Sequence, residues 1–333
     1  MRPRTIAVIG AGGWGTALAI IWVGQGRPVL LWGKDPVRIQ NLRESRENAA
    51  YLPGVNLPDR VGLTSDLADC SVADVIVFVT PSTAMRDTAA QMKQVTIKRD
   101  AVLLSCVKGI EHGTGKRMSE ILEEIFPDHR VAVLSGPNLA AEVARELPTA
   151  TVLASRKPEI AADLQSYLST PRFRIYTGQE LAGVELGGAL KNVFAIAAGA
   201  GDGLGLGDNC KAALVTRALA EMVRLGVRMS GDIRTFYGLS GAGDLIATCF
   251  SRRSRNRQVG EHLGRGVQLD EVISSMDTVS EGIPTARSAH ECGRKLQVET
   301  PIIDQVYSLL YEGKTAARAM EELLQRGQKA ENL

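Results

Sequence analysis

Residues 5–15 decide the fold and read Thr-Ile-Ala-Val-Ile-Gly-Ala-Gly-Gly-Trp-Gly. The first five of these residues predict a short buried strand, and the glycines that follow predict a tight turn. Apolar residues then recur at helical spacing as far as position 21, and an aliphatic run at 29–32 predicts the next strand. Together these segments predict a βαβ unit of about 30 residues.

The turn carries the GxGxxG pattern of a dinucleotide-binding loop. Gly10 allows the tight turn, Gly12 lets a pyrophosphate approach the backbone, and Gly15 lets the helix pack close to the strand. The start of the helix then faces the phosphates. A glycine-rich structural turn is the alternative interpretation, but the flanking strand and helix favour a nucleotide site.

The same N-terminal segment also has the composition of a secretory signal or a membrane span. Arg2 and Arg4 precede a stretch without charged residues at 5–26. Glycines cluster within residues 10–15, however, where a signal or spanning helix requires strong helix formers. We therefore predict neither a signal peptide nor membrane insertion.

The first half of the chain continues as alternating strands and helices, and the second half is helical. Compact apolar runs at 75–79, 101–105, 131–134 and 173–177 predict further strands, the first three of the kind buried on both faces of a parallel sheet. Helical periodicity follows and predicts helices at 183–200, 210–226, 254–264, 284–295, 301–312 and 315–327. The predicted fold class is α/β, with a Rossmann-type doubly wound sheet in residues 1–182 and an all-α domain in residues 183–333.

The end of the second strand bears on the choice of cofactor. An NAD site usually has Asp or Glu there to bind the ribose 2′-hydroxyl, but this chain reads Trp32-Gly33-Lys34-Asp35. Lys34 can attract the 2′-phosphate of NADP, or it is a solvated lysine at a strand end. Asp35, an acidic residue close to this strand end, keeps NAD as the alternative cofactor. We expect NADPH or NADH as the cofactor.

Polar residues of the later segments supply the candidate chemistry. Lys108 follows a predicted strand and is either a ligand-binding or a surface lysine, and Gly136 and Asn138 offer donors after the next strand. Lys191 and Asn192 lie in an apolar, small-residue helix, which favours an acid/base role for Lys191 over a side chain that reaches solvent.

A further segment combines an acidic turn with an arginine-rich cluster. Asp244 and Thr248 precede the run Ser-Arg-Arg-Ser-Arg-Asn-Arg at 251–257. Such a cluster at a helix start can bind a small phosphorylated ligand. A solvated loop or an RNA contact is the alternative, but the aromatic platforms of single-strand binders are missing apart from Phe250.

Composition excludes several function classes. The 333 residues include 39 Lys+Arg and 37 Asp+Glu, so neither a nucleic-acid surface nor a polybasic membrane surface is expected. The five cysteines lack a CxxC pattern, which favours reduced thiols in the cytoplasm. The four histidines show no ligand spacing, and we predict no metal site.

The motifs jointly resemble those of one enzyme family, the bacterial-type NAD(P)-dependent glycerol-3-phosphate dehydrogenases. They are Gly-Ala-Gly-Gly-Trp-Gly-Thr-Ala-Leu-Ala at 10–19, Ser-Gly-Pro at 135–137, Leu-Gly-Gly-Ala-Leu-Lys-Asn-Val at 186–193, Gly-Asp-Leu at 243–245 and Ser-Arg-Asn-Arg at 254–257. The resemblance covers nearly the whole chain. It implies reversible reduction of dihydroxyacetone phosphate to sn-glycerol 3-phosphate for phospholipid synthesis, and a helical domain like the C-terminal domain of 6-phosphogluconate dehydrogenase.

The resemblance also implies the site residues. Lys191 matches the catalytic acid/base, and the implied substrate-binding residues are Lys108, Gly136, Asn138, Lys191, Asn192, Asp244, Thr248, Ser254, Arg255 and Asn256. The cofactor-binding residues predicted from the glycine pattern and the resemblance together are Gly10, Gly12, Gly13, Trp14, Gly15, Lys34, Lys108, Ala140, Arg255, Val279 and Glu281. Gly13 and Asn138 depart from the family, which often has Ser at the first position and Ser or Thr at the second. The expected partners are the small-molecule substrate and product, with a homodimer as the candidate oligomer.

Overall fold

The chain folds into an eight-stranded sheet flanked by helices, followed by a set of packed helices. The computed structural model describes residues 4–276, 280–327 and 330–331. The strands are β1 (Ile6–Ile9), β2 (Val29–Trp32), β3 (Val61–Thr64), β4 (Val75–Phe78), β5 (Val102–Ser105), β6 (Arg130–Ser135), β7 (Thr149–Ala154) and β8 (Phe173–Gly178). Their order is β3-β2-β1-β4-β5-β6-β7-β8. Strands β1 to β6 are parallel, and β7 is antiparallel to β6 and parallel to β8.

Helices connect the strands and form the whole second half. Those of the sheet region are α1 (Gly13–Gly24), α2 (Pro36–Ser45), α3 (Met85–Lys93), α4 (Met118–Ile125), α5 (Ala140–Val143) and α6 (Pro158–Leu168). Those that follow are α7 (Leu181–Gly203), α8 (Gly207–Arg228), α9 (Ile233–Phe236), α10 (Asp244–Phe250), α11 (Arg255–Gly264), α12 (Leu269–Ser274), α13 (Gly282–Leu296), α14 (Pro301–Tyr311) and α15 (Ala316–Leu324). A π-helical turn at Leu239–Gly243 leads into α10.

The predicted fold class is confirmed, and two strands were missed. The sheet is doubly wound, with the strand order 3-2-1-4-5-6 of dinucleotide-binding folds in its parallel part. The sequence did not indicate β3 and β7, because β3 is short and contains Gly62, and β7 mixes threonine and alanine with its aliphatic residues. The last strand ends at Gly178 and α7 begins at Leu181. The division of the chain into domains at 182 stays a prediction.

The sheet is buried because successive residues of each strand serve two separate cores. In β1, Ile6 and Val8 face the core that contains α1 and α6, whereas Ala7 and Ile9 face the core that contains α3 and α4. This two-sided burial explains why the parallel strands read as continuous apolar runs. Because β1, β4 and β5 are parallel neighbours, their carboxyl ends lie together at one end of the sheet, where open α/β sheets bind ligands.

Helix α7 is the core of the helical half. Its residues from Leu181 to Ala200 are all buried. By length and composition it is the helix of the described residues that could cross a membrane, but its entire apolar window is packed inside the protein. Glycines allow close packing: a Cβ on Gly199 would lie 1.9 Å from the carbonyl oxygen of Arg257, and one on Gly260 would lie 1.9 Å from that of Ile196. We therefore interpret α7 as the core helix of a globular protein.

A buried ion pair fixes α7 against the sheet. Arg117, just before α4, donates to Glu185 of α7 at 2.8 Å, and Glu185 also accepts from the backbone and the hydroxyl of Ser119. Farther along α7, a Cβ on Gly188 would lie 2.3 Å from Ser135 Oγ, at the end of β6. This close approach brings the next turn of α7, which carries Lys191, to the ligand-binding edge of the sheet.

Candidate active site

The glycine-rich turn has the space that a pyrophosphate requires. Gly10 adopts a φ of +131°, and a Cβ there would lie 2.7 Å from the carbonyl oxygen of Val79. A Cβ on Gly15 would lie 1.9 Å from the carbonyl oxygen of Gly10. A Cβ on Gly12, by contrast, would meet no atom within 4 Å. Gly10 and Gly15 are therefore required by the fold, whereas Gly12 keeps open space at the start of α1.

Gly12 thus allows a test that separates binding from folding. We expect Gly12→Ala to change the free energy of unfolding by about 1 kcal/mol or less, because Gly12 has an extended backbone at the helix N-cap. We expect it to weaken NADPH binding by about tenfold or more, since the methyl group fills the space that the pyrophosphate needs. Fluorescence titration with NADPH and thermal unfolding measure the two effects. Gly24→Ala, at the other end of α1, is the control, and unchanged NADPH affinity in Gly12→Ala would contradict the assignment.

The other predicted cofactor residues lie in different surroundings. Gly13 and Trp14 begin α1, and the centre of the Trp14 ring lies 6.3 Å from that of Phe173, so this partly buried side chain packs against the core. Ala140 begins α5 and packs on the same core. Lys34 is exposed after β2. Val279, which the sequence also placed at the cofactor, lies outside the described residues.

Glu281 links the helical half to the sheet. Its carboxylate accepts from the backbone N–H of Ser82 at 3.1 Å and from the Ser82 hydroxyl at 2.5 Å. Burial raises the pKa of Glu281, while the Ser82 hydrogen bonds and the nearby Arg255 oppose that shift. Ser82 lies in the loop after β4, next to the strand that precedes the glycine-rich turn. No sequence pattern indicates Ser82 as a contact of Glu281, because the two residues are 199 positions apart.

Two lysines and one aspartate form the centre of the site. Asp244 begins α10 and accepts from Lys191 Nζ through Oδ1 at 2.6 Å and from Lys108 Nζ through Oδ2 at 2.5 Å. Lys191 Nζ also donates to Thr248 Oγ1 at 2.7 Å, and Lys108 Nζ donates to the carbonyl oxygen of Gly136 at 2.9 Å. These contacts join α7, α10 and the ends of β5 and β6. The five residues were all predicted for the site, and the structure brings them together.

The electrostatics of this cluster favour proton exchange by Lys191. The residue is 8% exposed and Asp244 is 1% exposed. The pKa of Lys191 is lowered to about 8, mainly by burial; the Asp244 carboxylate opposes this shift, and the Lys108 ammonium adds to it. A lysine with a pKa near the working pH can both donate and accept a proton. Two ammonium groups on one carboxylate also leave a net positive charge that suits an anionic substrate.

Asn192 and Asn256 form a second polar pair beside this cluster. Asn256 Nδ2 donates to Asn192 Oδ1 at 2.9 Å, and Asn256 Oδ1 accepts from Ser280 Oγ at 2.6 Å and from Gly282 N at 2.8 Å. Asn192 Nδ2 has only a long contact of 3.4 Å with the carbonyl oxygen of Gly188. The pair therefore holds the start of α11 against α7, and the Asn192 amide retains donor capacity for a ligand.

The side chains of the arginine-rich cluster lie in different surroundings. Ser254 caps α11 by accepting from the backbone N–H of Arg257 at 3.3 Å. The Arg257 guanidinium pairs with Asp202 at 2.6 Å and is 8% exposed, so it stabilises the fold. Arg255, at the first position of α11, is exposed and carries its charge near Glu281. The position of this guanidinium at a helix start makes Arg255 the candidate for phosphate binding within the cluster.

Asn138 takes a position that limits its predicted role. Its Nδ2 donates to Thr151 Oγ1 at 3.0 Å, and Thr151 in turn donates to the carbonyl oxygen of Ser135. This chain of hydrogen bonds fixes the loop after β6, which also contains Gly136. Asn138 Oδ1 is buried without a partner among the described residues. It is an acceptor that a substrate hydroxyl could satisfy.

Comparisons with known proteins assign both halves of the chain to one enzyme family. The model of the NAD-dependent glycerol-3-phosphate dehydrogenase N-terminus matches residues 5–161, and that of the C-terminus of the same family matches residues 180–321. The NAD(P)+ glycerol-3-phosphate dehydrogenase of Syntrophotalea carbinolica is 46% identical over 330 residues, which is 98% of this chain and 99% of that relative. The enzyme of the same name from Chlorobium phaeobacteroides is 44% identical over 330 residues, 98% of each chain.

A solved structure shows the same similarity in three dimensions. The glycerol-3-phosphate dehydrogenase of Coxiella burnetii superposes with a TM-score of 0.94 at 37% identity, covering 97% of this chain and 99% of that one. Both halves of the molecule are therefore shared, including the strand ends and helices that carry the lysine and aspartate cluster. The chain belongs to the NAD-dependent glycerol-3-phosphate dehydrogenase family.

Proposed function

We propose that this chain catalyses the reversible NAD(P)H-dependent reduction of dihydroxyacetone phosphate to sn-glycerol 3-phosphate, with Lys191 as the proton donor. The observation that carries the role of Lys191 is its hydrogen bonding to both Asp244 and Thr248 in a buried site. The family and the names of the relatives supply the reaction. The product is a building block for phospholipid synthesis.

The protein contributes proton transfer and electrostatic stabilisation. When bound, the reduced nicotinamide supplies the hydride for the substrate carbonyl carbon. The Lys191 ammonium donates a proton to the carbonyl oxygen, and in the reverse direction the neutral amine accepts it. Asp244 and Thr248 hold the Nζ atom in position. Lys108, fixed by Asp244 and Gly136, adds a positive charge that stabilises the developing alkoxide.

The substrate phosphate is proposed to bind where α11 begins. Arg255 offers a guanidinium that can form charge-assisted hydrogen bonds with phosphate oxygens. Ser254 and Asn256 hold that helix start in place, through the N-cap and through the contact with Asn192. Backbone N–H groups of a helix start favour anions as well. Binding energy gained at the phosphate can then orient the carbonyl next to Lys191.

The cofactor is proposed to lie along the glycine-rich turn. The open space at Gly12 fits a pyrophosphate, and the first turn of α1 directs backbone N–H groups toward it. Lys34, after β2, lies at the strand end where such folds bind the adenosine ribose. Lys108 follows β5, and Glu281 contacts Ser82 in the loop after β4, toward the middle of the sheet.

Three further predictions concern the cellular location, membrane insertion and ligand class of the enzyme. A cytoplasmic location is supported by the absence of a disulfide among the five cysteines, of which four are buried. The burial of α7 supports a protein that is not inserted in a membrane. The pairing of Arg257 with Asp202 supports a small phosphorylated ligand rather than a nucleic acid. A homodimer stays a prediction.

The pH dependence of the two directions provides a test of Lys191. Because the pKa of Lys191 is lowered to about 8, the ammonium needed for reduction is lost as the pH rises through that value. We therefore expect turnover of dihydroxyacetone phosphate reduction to fall above about pH 8. Oxidation of glycerol 3-phosphate needs the neutral amine and is expected to rise over the same range. Initial rates at saturating substrate, from pH 6 to 10, measure both profiles, and two profiles that move in the same direction would exclude Lys191 as the titrating group.

The reaction itself is tested by the loss of nicotinamide absorbance. Purified protein is mixed with dihydroxyacetone phosphate and, in separate samples, NADPH or NADH. Oxidation of either cofactor, dependent on the substrate, is the expected result. If a folded protein that binds NADPH oxidises neither cofactor, the proposed reaction is wrong.

A further inference from the structure

The end of β2 has no room for the acidic residue that NAD-binding sites use there. Gly33 is buried beside the phosphate-binding turn. A Cβ at this position would lie 2.7 Å from Ile39 Cδ1 and 3.1 Å from Ala11 Cβ. Ile39 is only 2% exposed, so it cannot move aside into solvent. A carboxylate side chain at position 33 would therefore disturb the contact between α2 and the turn.

The nearest carboxylate, that of Asp35, is already engaged. Asp35 caps α2 by accepting from the backbone N–H groups of Val37 at 2.9 Å and Arg38 at 3.3 Å. Its second oxygen lies 3.6 Å from Arg38 Nε. These two hydrogen bonds and the ion pair offset the negative charge and orient the carboxylate toward its own helix. Asp35 is thus occupied in a way that competes with binding of a ribose 2′-hydroxyl.

A cation is instead held next to the phosphate-binding turn. The Arg38 guanidinium lies 5.4 Å from the centre of the Tyr51 ring and donates to the Tyr51 hydroxyl. The Tyr51 carbonyl oxygen is 2.8 Å from the position that a Cβ on Gly13 would occupy. Asn48 fixes the same segment by donating to the carbonyl oxygen of Ala11 at 3.0 Å. The Tyr51 segment therefore positions Arg38 beside the turn.

Arg38 also keeps donors for a ligand. Its side chain is 61% exposed, and the Tyr51 and Asp35 contacts leave further N–H groups of the guanidinium facing solvent. Lys34, also exposed, precedes the same helix and pairs with no carboxylate in the ranges that the structure describes. A planar guanidinium held by a tyrosine, together with an ammonium, is suited to a phosphate monoester.

We propose that Arg38 determines cofactor specificity by binding, with Lys34, the adenosine 2′-phosphate of NADPH. The inference rests on the cofactor site of the proposed function and deepens it, because it selects NADPH over NADH. Gly33 stands where an acidic residue would bind the 2′-hydroxyl. Arg38, held by Tyr51, supplies a cation for the 2′-phosphate instead. Arg38 acts on binding of the adenosine end and takes no part in the proton transfer.

The test uses ligands that contain only the adenosine end of each cofactor. Adenosine 2′,5′-bisphosphate and adenosine 5′-monophosphate are titrated into the full chain by calorimetry. Wild type is expected to bind the bisphosphate about 10- to 100-fold more tightly. Arg38→Ala is expected to lose about tenfold or more of the bisphosphate affinity and to keep its affinity for the monophosphate within about twofold.

Two further variants sharpen the result. Arg43→Ala removes an exposed arginine of the same helix, one that contacts the carbonyl oxygen of Leu63, and should change neither affinity. Asp35→Asn keeps an oxygen that can cap α2 but removes the negative charge beside Arg38, so it should tighten binding of the bisphosphate. Equal affinity of wild type for the two ligands, or equal losses for both in Arg38→Ala, would overturn the proposal.

This binding experiment is independent of the proposed reaction. It needs no turnover, so it tests the role of Arg38 whether or not the protein reduces dihydroxyacetone phosphate. With an active enzyme, the ratio of kcat/KM for NADPH to that for NADH should fall in Arg38→Ala by about the same factor as the bisphosphate affinity. An unchanged ratio would also overturn the proposal while leaving the reaction established.

Discussion

Replacing Lys191 with alanine is expected to reduce turnover on the order of 100-fold or more while the protein remains folded. The loss follows from removing the group that donates the proton to the substrate oxygen. The fold should tolerate the change because Asp244, the buried partner, keeps its hydrogen bond to Lys108 at 2.5 Å. The carboxylate is therefore not left as an unpaired buried charge, the usual cause of a large destabilisation. Steady-state rate assays of both reaction directions measure the turnover, and thermal unfolding measures whether the fold is retained.

The matched control for this variant is Lys211→Ala. Lys211 is also a largely buried lysine of the helical half, and it pairs with Asp202 at 2.8 Å. It has no predicted role in the reaction, so its loss should affect stability more than turnover. A folded Lys191→Ala protein with normal turnover would remove Lys191 from the mechanism. A similar loss of turnover in Lys211→Ala would show that the rate falls because the helical half is disturbed, and not because a proton donor is removed.

The sequence predicted best the parts of the fold that are determined locally. The strand, turn and helix of residues 5–24 were predictable because apolar runs, glycine spacing and helical periodicity all lie within a short segment. Strand β3 was missed because Gly62 and its short length resemble a loop. The π-helical turn before Asp244 was missed because its glycines suggested an ordinary turn. Its geometry depends on α7, where a Cβ on Gly187 would lie 2.5 Å from the carbonyl oxygen of Ser240.

The contacts within the site could not be predicted from spacing. Asp244 meets Lys191 across 53 residues and Lys108 across 136 residues, and no local periodicity encodes such distances. The resemblance to a family named these residues together, and the structure shows how they meet. Arg38 was missed for a different reason. An exposed arginine on a short helix has the same sequence signature whether it is solvated or held by a tyrosine. The contact of Arg38 with Tyr51, whose carbonyl oxygen lies close to Gly13, therefore emerges only from the fold.

Replacing Arg255 with alanine is expected to weaken substrate binding by about 2 to 3 kcal/mol, the contribution of charge-assisted hydrogen bonds to a phosphate. Arg255 starts α11 while Arg257, from the same cluster, is committed to Asp202 and Glu261. The loss of Arg255 should therefore appear mainly as a higher KM for dihydroxyacetone phosphate. Turnover at saturation should fall less than in Lys191→Ala. Steady-state kinetics at a fixed saturating concentration of NADPH measure this difference.

The comparison that decides the assignment uses substrates with and without phosphate. If Arg255 binds the phosphate, wild type should greatly prefer dihydroxyacetone phosphate over dihydroxyacetone, and Arg255→Ala should reduce that preference by about the same factor as its loss in kcat/KM. Arg253→Ala is the control, because Arg253 is exposed in the same cluster and its side chain pairs with Glu142, at 3.5 Å. An Arg255→Ala enzyme that keeps the full preference would place the phosphate elsewhere, since truncation of one partner must remove the coupling between that side chain and the phosphate.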